Sequence, residues 1–308
     1  MGMRWMTSGR QPFGRMCRGI AGRALIFLMV MEVITTSTSA QRWSVELGTG
    51  VFNYQGELQS ARFTTLGMRP ACMLGWRRWI GEGGSVRVIL FAGTLTGQDA
   101  NNPSYLTRRR NLHFETPLHE LSVQGQQRLN AAAHGWFMPF LSAGLGIFRV
   151  DPFTRDGLVK RYDLFDLSLE GQGLPEYPGV RIPHRINLSL PVGGGFALRL
   201  TETLALQLDL SLRKTFTDQI DGVSGFFPGE EVLMRGRGPK AVELAYRADE
   251  LAGEDPCFPA EGTMRGNPKT NDWYYGISIG LVWTGNDGLK SYPPHRQLLR
   301  PRGWPYRR

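Results

Sequence analysis

The run Leu204-Ala205-Leu206-Gln207-Leu208-Asp209-Leu210-Ser211-Leu212-Arg213 sets leucine at every second position, with small, polar or charged residues between. A period of two belongs to the β-strand, where side chains at i and i+2 share a face. One face is therefore all leucine, while the other carries Gln207, Asp209 and Arg213. A soluble sheet turns such an apolar face inward. A membrane barrel turns it outward to lipid and keeps the polar face in its lumen.

The same alternation recurs in Tyr275–Trp283, Ile186–Val192 and Leu141–Ile147, and more weakly in Trp43–Val51, Cys72–Trp76, 85–96 and Glu120–Gln126. Eight strands result, and no segment of the body carries a helical period of useful length. Short turns are expected near Gly81–Gly84, Ala131–Gly135 and Leu200–Thr203, with a short first connection near 58–61. Longer loops are expected over 97–116, 150–185 and 216–271. An even strand number with short turns at one end and long loops at the other fits an antiparallel transmembrane barrel of the outer-membrane type. Such a sheet must close, because unpaired backbone groups are costly in lipid. Two aromatic girdles support this over a soluble sandwich or lipocalin-like barrel. Trp43, Trp76, Trp79, Trp136 and Trp283 are placed near one end, and Phe52, Tyr54, Phe216, Trp273, Tyr274 and Tyr275 near the other. The inward set would be glycine, serine and glutamine with Glu46, Arg77, Arg87, Glu120, Arg128, Asp209 and Arg213. An eight-stranded lumen is only wide enough for side chains, so these charges are expected to form a plug of ion pairs rather than a passage.

The ends of the chain have their own chemistry. Arg15, Arg18 and Arg23 precede the apolar run Ala24–Met31, and small residues lead to Ala40, as in an export signal cleaved before Gln41; Met16 offers an alternative start. Residues 1–40 carry 5 of the 36 Lys and Arg and 1 of the 27 acids. The tail adds Lys290, Arg296, Arg300, Arg302, Arg307 and Arg308 with no acid, which leaves 25 basic against 26 acidic residues in 41–289. The formal charge of +9 is therefore a property of the ends, and nucleic acid is not an expected partner. The 39 glycines of 308 residues suit inward-facing positions and tight turns. Cys72 and Cys257 form no disulfide framework or metal spacing.

Signals for catalysis are weak. There is no G-x-S-x-G, H-E-x-x-H or phosphate loop; His113 with Glu115 could orient a nucleophile, and His119 and Glu120 would face opposite ways on a strand. The acids Glu230, Glu231, Asp249, Glu250, Glu254, Asp255 and Glu261 lack EF-hand spacing and read as a solvated loop. No catalytic residue, cofactor or metal is expected. Arg108, Arg109 and Arg110 form the candidate site for anionic lipid, since clustered guanidinium groups suit the phosphates of lipopolysaccharide.

Several strand-end motifs carry a resemblance. They are Asn53-Tyr54-Gln55-Gly56-Glu57-Leu58, Arg109–Phe114 before Thr116-Pro117, and Pro139-Phe140-Leu141 before Gly144–Phe148. To these are added Glu170-Gly171-Gln172-Gly173-Leu174-Pro175 with Tyr177-Pro178, Arg213–Asp218 with Ile220-Asp221, and Asp272-Trp273-Tyr274. In their order and placement over about 43–284, they resemble the Bacteroidetes outer-membrane barrel family that includes PorG of the type IX secretion system. The resemblance implies a non-enzymatic outer-membrane component that anchors or positions a periplasmic ring of PorK-like lipoprotein and PorN-like subunits. The long 217–271 loop and the basic extension fall outside it.

The domain expectation is a signal peptide over 1–40, a barrel over 41–284 and a basic periplasmic tail over 285–308. The termini would be periplasmic, and Lys290, Arg296, Arg300, Arg302, Arg307 and Arg308 would be the candidate partner-binding residues. The alternative reading is a small OmpA/OmpX-like surface adhesin or pore whose extracellular loops bind a ligand.

Overall fold

The computed structural model describes residues 43–59, 61–81, 83–129, 136–253 and 256–285. The signal segment and the six basic tail residues lie outside them. Eight long strands are β1 (Trp43–Gln55), β2 (Arg69–Ile80), β3 (Gly84–Gln98), β4 (His113–Arg128), β5 (Phe137–Val150), β8 (Ile186–Arg199), β9 (Leu204–Thr215) and β10 (Trp273–Thr284). A small hairpin, β6 (Phe153–Arg155) and β7 (Arg161–Asp163), lies between β5 and β8. Four short helices occupy the loops: α1 (Tyr105–Arg110), α2 (Leu164–Leu167), α3 (Glu230–Arg237) and α4 (Pro239–Ala245).

Each long strand pairs antiparallel with its neighbour, and β1 pairs with both β2 and β10 to close the cylinder. The shortest of these strands has 12 residues, enough to cross a hydrocarbon core at the usual tilt. No helix among the described residues is long and apolar enough to span; the strands make the crossing.

The alternation resolves as the β9 leucines predict. Leu210, Val192, Leu145, Val123, Leu74, Leu47 and Ile279 are exposed on the wall, each 45–68 % accessible. Arg77, Arg87, Glu120, Asp209 and Arg213 are buried in the lumen. A polar inside and an apolar outside define a membrane-spanning barrel. Inward glycines let the strands coil closely. A Cβ on Gly195 would lie 2.0 Å from the Leu208 carbonyl oxygen, and one on Gly144 2.1 Å from that of Val123.

Three sequence expectations change. The first connection is not short: it covers residues 56–68. The long loops, where the sequence carries no helical period of useful length, hold the β6–β7 hairpin and the four helices. The girdles are also thinner than expected. Phe52, Tyr54 and Tyr274 occupy inward positions and are at most 1 % exposed. Trp79 also faces the lumen, donating to Ser44 Oγ at 2.9 Å under Arg128. These rings fall on the parity of the polar face, a distinction that level along the strand does not reveal.

Candidate functional site

The lumen is filled by two ion-pair groups. Near the short-turn end Arg77 pairs with Glu46 and donates to Gln207 and Gln126 at 2.9 and 3.1 Å. Arg87 bridges Asp209 at 2.8 Å and Gln124 at 2.8 Å. Toward the long-loop end Arg213 donates to Glu120 at 3.0 Å, and Glu120 also accepts from Ser189 Oγ and the Tyr274 hydroxyl. Phe52, Phe91 and Tyr274 rings surround the Arg213 guanidinium at 5.1–5.5 Å. Every carboxylate in this set meets a cation, which the low dielectric of the lumen requires. The expected plug is present.

Above Arg213 the lumen turns apolar. Phe52, Phe91, Leu95, Phe114 and Phe148 form one buried cluster with cap residues that include Leu164, Ile220, Leu233 and Leu244. Barrel mouth and loops therefore share a single hydrophobic core, and the cap closes over the mouth.

Polar latches hold that cap. Tyr54, inward on β1, donates to Asp221 at 2.5 Å and to Asp272 at 3.2 Å. Asp272 accepts the Ile220 amide at 2.9 Å, Asp221 that of Val223 at 2.8 Å, and Thr116 Oγ1 donates to the Ile220 carbonyl at 2.8 Å. Glu57, Asp221 and Asp272 bring carboxylate oxygens within 4.8 Å of one another. Burial raises the pKa of Asp221 and Asp272, and their mutual repulsion with Glu57 adds to it. Burial likewise raises Glu57, to about 7. This is a site where protons replace missing counter-charge.

A second latch centres on Glu170, which is 3 % exposed. It accepts the Ser224 and Gly225 amides at 2.7 and 3.1 Å and pairs with Arg265 at 2.8 Å. Gly171, at φ +78°, passes so close to the Tyr177 ring that a Cβ would sit 2.5 Å from it. Tyr177 in turn donates to Glu261 and accepts the Gly229 amide, both at 2.8 Å.

The expected anion site is not assembled by the three arginines. Arg110 is buried, donating through Nε and Nη2 to Asp99, each at 2.7 Å. Arg108 is exposed and donates to the carbonyls of Asn102 and Pro103 at 3.0 and 2.9 Å. Successive helix positions point about 100° apart, so the triplet does not form one cradle. Glu115 is paired with Arg155 beside His113. The acids of 230–261 are dispersed among the described residues: Glu250 pairs with Arg247, and Glu230 and Glu231 lie in the first turn of α3. Cys72 lies on the barrel wall and Cys257 in the cap; neither is disulfide-bonded.

The cluster that the sequence reading missed is Glu57–Asp221–Asp272. All three residues stand inside quoted motifs, yet no spacing links positions so far apart. Glu170 and Tyr177, from the same motifs, are also latch residues, while Arg213 and Tyr274 join the lumen ion-pair group below the mouth.

No protein-family model matches the chain, and no curated protein does. Similar solved structures include Neisserial surface protein A, at 10 % identity and a TM-score of 0.39, covering 78 % of this chain and 96 % of that one. A major outer membrane protein from Thermus thermophilus has 12 % identity and a TM-score of 0.39, covering 80 % and 100 %. The outer membrane protein OprG from Pseudomonas aeruginosa has 9 % identity and a TM-score of 0.37, covering 80 % and 96 %.

Proposed function

We propose that the protein is a non-enzymatic, non-conducting outer-membrane barrel that presents its capped loop end at the cell surface as a rigid binding platform. One observation carries this reading: the cap shares its hydrophobic core with the barrel mouth while ion pairs fill the lumen. A pore needs an open path, whereas a platform needs ordered loops on a stiff base. Termini in the periplasm and long loops outside follow the usual orientation of such barrels. Protease added to intact cells should cleave within 216–271 and leave the strands; protection of that segment in intact cells but not in lysates would overturn the orientation.

The type IX secretion reading is a second proposal, favoured by the convergence of several family-like motifs on the latches of the cap. In it the platform is the outer-membrane part of the apparatus, with PorK-like and PorN-like ring proteins bound at the periplasmic side through Lys290, Arg296, Arg300, Arg302, Arg307 and Arg308. A deletion strain separates the two. Blocked export of cargo with a C-terminal sorting domain supports secretion, and intact export with altered surface binding supports the platform alone. Ring proteins captured equally well after removal of 290–308 would exclude the tail as their contact.

A further inference from the structure

The connection from β1 to β2 does not join the cap throughout its length. Residues 63–68 run across the outer wall as a strap, held at one level by outward side chains from three strands. Asn53 Nδ2 on β1 donates to the carbonyls of Thr64 and Leu66 at 2.7 and 2.9 Å. The Tyr275 hydroxyl on β10 donates to the Thr64 carbonyl at 3.0 Å, and Thr96 Oγ1 on β3 to that of Gly67 at 3.2 Å. The strap's polar backbone is thus satisfied against the wall, while Phe63 and Leu66 are 69 % and 59 % exposed. Phe63 has a φ of +56°, a left-handed conformation that a bulky residue seldom adopts. That conformation sets its ring edge-on to Tyr275, with centroids 5.1 Å apart.

Beneath Phe63 lies a groove of about 460 Å³, walled by Val192, Leu210, Leu212, Tyr275 and Ile277. The volume falls in the ~300–1,000 Å³ range of small-ligand sites, and the wall residues belong to the lipid face. Register places Lys214 opposite Trp273, one outward position above Leu212, about 7 Å toward the long-loop end. Lys214 is exposed, with its Nζ 5.6 Å from the Trp273 ring centroid. Arg62, also exposed, immediately precedes Phe63 in the chain. No described carboxylate lies within ion-pairing distance of Lys214 or Arg62, unlike Arg149, Arg155, Arg185 and Arg235 elsewhere near the loop end.

We infer that this strap and wall form a binding site for lipid A, the phosphorylated glycolipid of the outer leaflet. An acyl chain lies in the groove under Phe63, and phosphate meets Lys214 and Arg62. The chemistry is complementary at both ends, since apolar wall takes the chain and unpaired cations take the anion. The site rests on the long-loop end facing outward, as proposed above.

Native mass spectrometry of the purified full chain in non-ionic detergent tests it, with bis-phosphorylated lipid A, its dephosphorylated form and phosphatidylglycerol as probes. Wild type should retain one bis-phosphorylated lipid A. The double substitution Arg62→Glu with Lys214→Glu should lower the bound fraction at least tenfold. Phe63→Ala should lower it with both cations intact, and Lys214→Arg should preserve it. Heat-modifiable migration in SDS gels verifies that each variant is a closed barrel. Equal retention by the double variant, by dephosphorylated lipid A or by phosphatidylglycerol would overturn the assignment, as would no retention by wild type. Binding in detergent does not depend on orientation, so its failure would leave the topology to the protease experiment.

Discussion

At the residue scale, buried charge divides into two kinds. Glu120 meets Arg213 in the lumen, and removing one partner leaves the other charged in a site from which water is excluded. Arg213→Ala should therefore destabilise the barrel by about 3–5 kcal/mol, read as a lower denaturant midpoint in detergent. The Glu57–Asp221–Asp272 cluster behaves oppositely, because no cation among the described residues pairs directly with it. Tyr54 and Asp218 face it as well, Arg110 contributes at longer range, and Asp99 already neutralises Arg110. An acid with a raised folded pKa holds its proton in the folded cap while the unfolded chain has lost it. For Glu57 that contribution is thus complete below the ordinary carboxylate range and lost as pH rises through about 7. Protection factors at 217–223, corrected for intrinsic exchange at each pH, should be higher at pH 5 than at pH 8, and Glu57→Gln should reduce that difference. The full Glu57 shift corresponds to about 3 kcal/mol at most.

At the scale of elements, much of the cap is a single insertion between β9 and β10. Phe226 and Met264 face each other in an antiparallel bridge, so the chain between them leaves and returns at one point. Replacing 228–262 with a Gly-Ser link should still yield a closed barrel, with heat-modifiable migration retained. The loss of Leu233, Ala241 and Leu244 from the shared core should lower the melting temperature. Failure to close would mean that the cap takes part in forming the barrel. The strand faces were legible because alternation reports directly on a two-sided environment. Strand ends were less so. Residues 56–68 carry no period, and their path is set by hydrogen bonds from Asn53, Tyr275 and Thr96 on three different strands.

For the whole molecule, an apolar wall, a paired lumen and a sealed mouth predict a barrel that does not conduct. Planar bilayers containing the protein should show no steady channels at neutral pH. Cysteine labelling gives a separate check on the position of the hydrocarbon belt. In proteoliposomes a membrane-impermeant maleimide should modify Cys257 in the cap and spare Cys72 on the lipid-facing wall. Reaction at Cys72 would displace the hydrocarbon belt from where the exposed Leu47, Leu74 and Leu90 set it.

Taken alone, the sequence determined the strand count, the reversed polarity and the charged plug, because each is written in local alternation that lipid and a narrow lumen act on residue by residue. It also separated the charge of the ends from a near-neutral body. Only the tertiary structure decided that Arg110 is consumed by Asp99, that Tyr54 and Tyr274 turn inward, and that Glu57, Asp221 and Asp272 meet. Those outcomes depend on which distant segments converge at the barrel mouth. Convergence follows from closure of the whole sheet and packing of the cap, and neither leaves a periodic mark on the chain.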